Sequence, residues 1–231
     1  MLDRRCETIE VALDGIQDGA SIMVSGFGDA GRPNYLLKGM IDKGVKDLHV
    51  ISNNAGNGFT GLAMLFRLGM ISKLTCSFPR GDLGAEITRW VREGSLTVEV
   101  NPQGTMAERI RAAGCGIPAF YTPTAYGTKL AEGKETREFN GVGYVLETAL
   151  HADYALVHAD KADRWGNLTY KNLSRNFSPL MAMAADVSII EADEIVELGA
   201  LEPNTIVTPG VCVNRLIQCR PVAENEWGVA A

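Results

Sequence analysis

Residues 21–44 read SIMVSGFGDAGRPNYLLKGMIDKG. The short apolar run 21–25 predicts a buried strand. Residues 33–44 predict a helix, with Pro33 in the first turn and Gly44 at the end. A glycine-rich turn, 26–32, joins the two. The same order then recurs along the first half of the chain. Residues 47–52 predict a second strand and 59–68 a helix with Leu62, Leu65, Phe66 and Leu68 on or near one face. Residues 73–78 predict a third strand, and 82–92 a helix carrying Leu83, Ile87, Trp90 and Val91 at helical spacing. Residues 95–100 predict a fourth strand, and 105–113 a helix closed by Gly114. Strands alternating with helices imply α/β architecture: a mostly parallel sheet with helices on both faces. Ligands of such sheets bind outside the carboxyl ends of the strands. Chemistry is therefore expected in the loops 26–32, 53–58, 79–81 and 101–104.

From about residue 135 the pattern changes. Residues 136–139 and 144–146 flank Asn140-Gly141, which predicts a hairpin, an antiparallel elaboration in the C-terminal half. Residues 154–158 and 187–190 predict further buried strands. No linker, repeat or charge block divides the chain, so a single domain over 1–231 is expected. The composition is globular: 46% apolar and 22% charged residues among 231, which argues against disorder. Twenty-two basic against 28 acidic residues give a net charge of −6. That argues against a nucleic-acid or anionic-membrane surface, though not against a local basic pocket. No run approaches the ~18 apolar residues of a membrane helix. The opening residues, Met1 to Glu7, lack the apolar core of a secretory signal. The five cysteines, Cys6, Cys76, Cys115, Cys212 and Cys219, are scattered without a C-x-x-C pair, so a cytoplasmic protein with buried or free thiols is expected.

Gly26-Phe27-Gly28-Asp29-Ala30-Gly31 fits G-x-G-x-x-G between a strand and a helix. A dinucleotide site also needs an acid at the end of the second strand. Here that strand ends in Ser52-Asn53-Asn54, and Asp47 lies at its beginning. Two readings remain open for the loop: a tight turn that needs small residues, or a backbone-lined cradle for an acyl or carboxylate oxygen. The histidines, His49, His151 and His158, are isolated, so no metal site is expected. No G-x-S-x-G elbow exists, which weakens a hydrolase reading.

The loop with its flanks, Asp18-Gly19-x-x-Ile22-Met23-Val24-Ser25-Gly26-Phe27-Gly28-x-x-Gly31-x-Pro33, resembles the glycine signature of the alpha subunit of family I coenzyme A transferases. Ser25 stands where that family usually has glycine. Further blocks resemble the family in order along nearly the whole chain. They include Ser52-Asn53-Asn54-Ala55-Gly56, Asn101-Pro102-Gln103-Gly104-Thr105, Tyr121-Thr122-Pro123-Thr124, Asp163-x-x-Gly166-Asn167 and Ser174-Arg175-Asn176-Phe177. Cys76-Ser77-Phe78-Pro79-Arg80, Lys134-Glu135-Thr136-Arg137-Glu138 and the stretch from Asp163 to Tyr170 are most similar to the branch that uses 3-oxoadipate. Acetate/acetoacetate-type transferases are near neighbours.

The resemblance implies movement of CoA from succinyl-CoA to 3-oxoadipate, with the coenzyme A thioester as substrate and no permanently bound cofactor. It also implies a ping-pong path through a glutamyl anhydride and an enzyme thioester. The family carries its nucleophilic glutamate in the beta portion, in a Ser-Glu-Asn-Gly setting that is absent here. The chain is therefore expected to be half an enzyme, inactive without a B (beta) subunit, with an A2B2 assembly suggested by the family. Its own Glu86, Glu93, Glu108 and Glu132 are read as solvated. Its contribution would be positioning. Asn53 and Gln103, at the ends of the second and fourth strands, would donate N–H groups to a carboxylate without adding charge, beside Gly26, Phe27, Gly28 and Gly31. Loop-stabilising bonds are the plainer alternative for both amides, and Asn54 could take the place of Asn53. Arg80 is a candidate for the distal carboxylate of a dicarboxylate. Arg109 and Arg111 read as salt-bridge or packing residues. Two other functions compete: a sugar-phosphate isomerase, which would need a base in loops that offer mostly Gly, Asn and Gln, and a non-enzymatic acyl-CoA or carboxylate sensor.

Overall fold

The computed structural model describes residues 2–79 and 81–228. Its first elements are α1 (Ile9–Ala12), β1 (Ser21–Val24), α2 (Asn34–Lys43), β2 (Leu48–Ile51), α3 (Leu62–Arg67), β3 (Ile71–Cys76), α4 (Gly84–Glu93), β4 (Thr97–Val100) and α5 (Gln103–Gly114). There follow β5 (Ala119–Thr122), β6 (Thr136–Phe139), β7 (Val142–Thr148), β8 (Ala152–Asp163), β9 (Leu168–Thr169), α6 (Ser178–Ala184), β10 (Ala185–Val196) and β11 (Arg215–Gln218). The main sheet runs β11-β10-β8-β1-β2-β3-β4, with β9 paired to β8. Every neighbouring pair along that order is parallel, and only β9 runs against its partner. β5, β7 and β6 form a separate antiparallel sheet.

The side-chain period of a strand sorts the core into two layers. Ile22, Val24, Leu156 and Ile189 face one apolar cluster with Leu36, Leu37 and Met40 of α2, Leu62 to Phe66 of α3, and Ile87 of α4. Met23, Ala155, Val157 and Ile190 face the other, with Met106 and Ile110 of α5 and Met181 and Ala182 of α6. Helices thus cover both faces, which is why the central strands are apolar on both sides. The order reverses at β1: β2, β3 and β4 lie to one side, β8 and β10 to the other. That switch point aims the loop after β1 into the crevice.

Local chemistry explains the boundaries. Gly44 and Gly94 end α2 and α4 in left-handed conformation, at φ 73° and 75°, returning their N–H groups to the last turns. Asn140 and Gly141 turn the hairpin with φ 51° and 77°. Several predicted ends shift inward. α3 begins at Leu62, so Phe59 lies outside it, exposed beneath the Arg67 guanidinium at 4.2 Å. The third strand stops at Cys76, freeing Ser77 and Phe78 for the loop. β8 and β10 extend well past their apolar centres and pair along ten residue positions between Ala185 and Val196. α1, β5, β9 and β11 carry no strong sequence signal.

α2 starts after Pro33 with no side-chain cap of its own. A carboxylate from across the sheet supplies it: the Leu36 N–H donates to Glu191 Oε2 at 2.8 Å. Glu191 is 1% exposed, and its other oxygen accepts a weak bond from the Cys219 thiol at 3.6 Å. Burial pushes this carboxyl up to about 8, against the hydrogen bonds from Leu36, Cys219 and Tyr35. An acid whose folded value lies above its unfolded one stabilises fully below the ordinary carboxylate range. It loses that contribution as pH rises through the folded value. The melting temperature is therefore expected to fall between about pH 5 and pH 8, and Glu191→Gln to flatten that fall. The same dependence on pH in both proteins would show that Glu191 stays ionised in the fold.

Candidate active site

The loop after β1 is built as a tight turn with one side pinned. The Phe27 N–H donates to the Ala30 carbonyl at 3.0 Å, and the Ala30 N–H returns to Phe27 at 3.2 Å. Ser25 Oγ closes the base by donating to the Gly31 carbonyl at 2.8 Å. From the far half of the chain, Asn176 Oδ1 accepts the Gly26 N–H at 3.1 Å, and its Nδ2 donates to the Ala30 carbonyl at 3.1 Å. Gly31, at φ 69°, lies so close that a Cβ there would come within 2.5 Å of the Ser174 carbonyl oxygen. Gly28, at φ 61°, has open space around it. Serine in place of the family's glycine at position 25 thus contributes a bond across the turn. Among the described residues, the Gly28 and Asp29 N–H groups have no acceptor, so the turn also leaves donors free.

Asn53 and Gln103, predicted from two different strand ends, come together. Gln103 Nε2 donates to Asn53 Oδ1 at 2.8 Å. Ser77 Oγ donates to the same oxygen at 2.6 Å. The Asn53 backbone carbonyl accepts Ser77 N–H at 3.2 Å and Phe78 N–H at 3.1 Å. With Oδ1 engaged twice, the Asn53 Nδ2 donors have no partner among the described residues. Asn53 is 4% exposed, and its carboxamide is therefore held in one orientation. Gln103 opens α5 and stays exposed. Asn54 turns to local work: its Oδ1 accepts the Gly56 N–H at 2.8 Å, an Asx turn. Beside Gln103, a groove of about 420 Å³ is lined by Gly104, Thr105, Phe120, Tyr121 and Thr122.

The charged groups nearby satisfy one another. Arg109 is buried and donates from Nη1 to Glu99 at 3.0 Å and to Asn101, and from Nε to the Thr148 carbonyl at 2.8 Å. It ties the end of β4 to β7, as expected of a packing residue. Burial raises the Glu99 carboxyl, but hydrogen bonds from Arg109 and Asn101 and the charges of Arg109 and Lys73 outweigh it and hold the group at about 2. Arg111 pairs with Glu108 at 2.7 Å, and Glu86 with Arg67 at 2.9 Å. Arg80 lies outside the described residues. Among the described residues, no cluster of His, Cys, Asp and Glu could hold a metal ion. No described helix is long and apolar enough to cross a membrane.

Three side chains escape the reading of local sequence: Ser77, Asn176 and Glu191; Arg32 lies in the loop 26–32 that the strand order singles out, with no role read for it there. Only Glu191 leaves a local trace, as an acid inside the apolar run Ile189-Ile190-Glu191-Ala192.

Residues 6–218 match the family model described as coenzyme A transferase. The chain is 54% identical over 217 residues to the A subunit of 3-oxoadipate CoA-transferase from Pseudomonas putida, covering 94% of each. It is 48% identical over 215 residues to the A subunit of succinyl-CoA:3-ketoacid coenzyme A transferase from Xanthomonas campestris, covering 93% of this chain and 88% of that one. Its fold is similar to that of an acyl-CoA transferase from E. coli O157:H7, with a TM-score of 0.80 at 18% identity. That likeness covers 97% of this chain and 50% of the other, so the chain spans half of that longer protein. A glycine turn and a carboxamide pair at the rim of a parallel sheet thus sit in a sequence whose matched span runs nearly end to end, and the chain belongs to the coenzyme A transferase family.

Proposed function

We propose that the chain is the alpha subunit of a transferase that moves CoA from succinyl-CoA to 3-oxoadipate, working with a beta subunit in an A2B2 assembly. The observation that carries this reading is the uncharged carboxamide pair, Asn53 held by Gln103, at the rim of a chain 54% identical to the A subunit of a 3-oxoadipate CoA-transferase. A partner glutamate would attack the thioester carbonyl. The released thiolate would then attack the resulting anhydride at the glutamyl carbon, expelling succinate and leaving an enzyme thioester. The second acid's carboxylate would attack that thioester, freeing the thiolate and forming a second anhydride. The thiolate would then take the acid's acyl carbon and release the glutamate. Each attack places negative charge on a carbonyl oxygen. The Asn53 Nδ2 donors, fixed before the reaction, stabilise that charge without reorganising. Gln103 and Ser77 act through Asn53, and the Gly28 and Asp29 N–H groups offer further donors. The groove beside Gln103 gives room for an acyl or thioester chain.

The chain's own surface glutamates fit a supporting subunit. Glu86 and Glu108 are paired with arginines, Glu93 lies near Arg89 at 3.9 Å, and Glu132 is exposed after a short turn. A 3-oxoacid transferase of the acetoacetate type is the second reading, favoured by the 48% identity to the A subunit of a succinyl-CoA:3-ketoacid transferase. Both readings place one alpha-type domain over residues 1–231 in the cytoplasm, with no resident cofactor. A non-enzymatic sensor would bind ligand alone and exchange no thioester.

Mixed with its beta subunit, the chain is expected to exchange CoA between succinyl-CoA and 3-oxoadipate, and alone to exchange none. Robust turnover by the lone chain, or an acyl group trapped on one of its own carboxylates, overturns the assignment. Within the assembled complex, Asn53→Ala and Gln103→Ala should each lower turnover about tenfold or more, by loss of an aimed donor or of its support. Unchanged kcat in both variants removes these residues from the site.

A further inference from the structure

Arg32 is the least satisfied charge near the glycine turn. Its side chain is 7% exposed. Nη2 pairs with Asp29, whose own side chain is 72% exposed. Nε and Nη1 are buried with no hydrogen-bond partner among the described residues. Asp29 balances the charge, but two buried donors left without acceptors are costly unless a further oxygen completes them. The fold nevertheless makes room for the guanidinium. A Cβ on Gly61 would stand 3.0 Å from Nε, and one on Gly56 would stand 3.4 Å from Nη1. Both glycines belong to the loop after β2, so the guanidinium is threaded between the two loops at the switch point of the sheet. It lines a cavity of about 10 Å³ with Gly26, Gly28, Ser52 and Asn54. That volume is on the order of one oxygen atom or water.

We propose that Arg32 selects dicarboxylate substrates by binding the carboxylate remote from the reacting carbonyl, and that Asp29 holds this place until substrate displaces it. The inference rests on the transferase reading and adds the residue that sets acid preference. Arginine suits the role because its planar fork meets a carboxylate through more than one N–H. Asp29 suits it because its carboxylate is exposed, is already bound to Nη2, and lies in the turn between Gly28 and Gly31. With most of its side chain in solvent, Asp29 can swing outward without displacing packed atoms. The exchange swaps one carboxylate for another and leaves the net charge at Arg32 unchanged.

Arg32→Gln and Asp29→Asn move the site in opposite directions. In the assembled complex, Arg32→Gln should raise KM for 3-oxoadipate about tenfold or more, the loss of a charge-assisted hydrogen bond, and leave KM for acetoacetate within about threefold. Asp29→Asn should lower KM for 3-oxoadipate by a larger factor than it changes KM for acetoacetate. Equal changes on both acids in Arg32→Gln would show a tie between loops, completed by water alone, and overturn the proposal. So would a rise in KM for both acids in Asp29→Asn. Calorimetric titration with adipate and with hexanoate gives a readout that does not need turnover. Adipate should bind the wild type in preference to hexanoate, bind Asp29→Asn more tightly, and lose its advantage in Arg32→Gln. Equal adipate affinity in the wild type and Arg32→Gln overturns the proposal even if the complex transfers CoA. A wild-type complex that transfers no CoA sinks the transferase reading, and the adipate titration then decides the Arg32 site by itself. Arg32→Lys, which keeps the charge without the fork, checks folding and should recover part of the adipate preference.

Discussion

A parallel sheet buried on both faces can present polar groups only at the rim where its strands end. The apolar layers on either side of β1 leave that strand no room for chemistry along its length. Its functional groups therefore gather just beyond Val24, where the strand order reverses between β8 and β2. Ser25 fixes this rim. Its hydroxyl donates to the Gly31 carbonyl and accepts the His158 N–H at 3.2 Å, so the glycine turn is joined to the ladder of β8. Asn176 adds a second brace from the opposite half of the chain. The turn can then leave donors open on one side because Ser25 and Asn176 brace the other.

The charges around the rim follow from the same constraint. Glu191 lies deep in the sheet and caps α2, so its cost of burial is spent on orienting the helix that follows the glycine turn. Glu99 and Arg109 close on each other and on Asn101, which fixes the approach to α5. Lys134 and Glu147 at 2.6 Å, with Arg109 at 3.9 Å from the same carboxylate, carry that link into the small antiparallel sheet. Glu191, its carboxyl raised by burial, and the ionised Glu99, Arg109, Lys134 and Glu147 all hold elements in place. Arg32 departs from that pattern, since its burial far exceeds the bonding that the surrounding residues give it.

The alternation of apolar runs and helical spacings is enough to read the parallel sheet, its helices and the Asn140-Gly141 hairpin. The strand-end rule is enough to single out Asn53 and Gln103, because it needs only the order of elements. Short or half-buried elements are not legible: β5 is half-buried at every position, and β9 has two residues. The braces are not legible either. Gly26 and Asn176 are 150 positions apart, and Leu36 and Glu191 are 155 apart. Such pairs follow from register across the sheet, which no local pattern carries. Asn53 against Asn54 is undecidable from sequence for a related reason. Neighbours on an irregular loop differ only in which distant donor reaches them, and Gln103 and Ser77 reach Asn53.

A neutral rim is the expected solution when the reactive acid comes from elsewhere. A lysine or arginine at position 53 would bind an incoming carboxylate strongly before reaction. That attraction would be present in the ground state as well as the transition state, and so would add little to the rate. It would also lower the basicity of a carboxylate that has to act as nucleophile. A carboxamide held by its oxygen has neither effect to the same degree, because its donors carry partial charge only. Its value lies in direction. Two donors on Asn53 Oδ1 fix the amide plane, so in the proposed reaction Nδ2 would meet a developing oxyanion without first giving up another bond. A full charge then belongs where it discriminates between acids rather than where bonds change, which is the place Arg32 occupies behind the glycine turn.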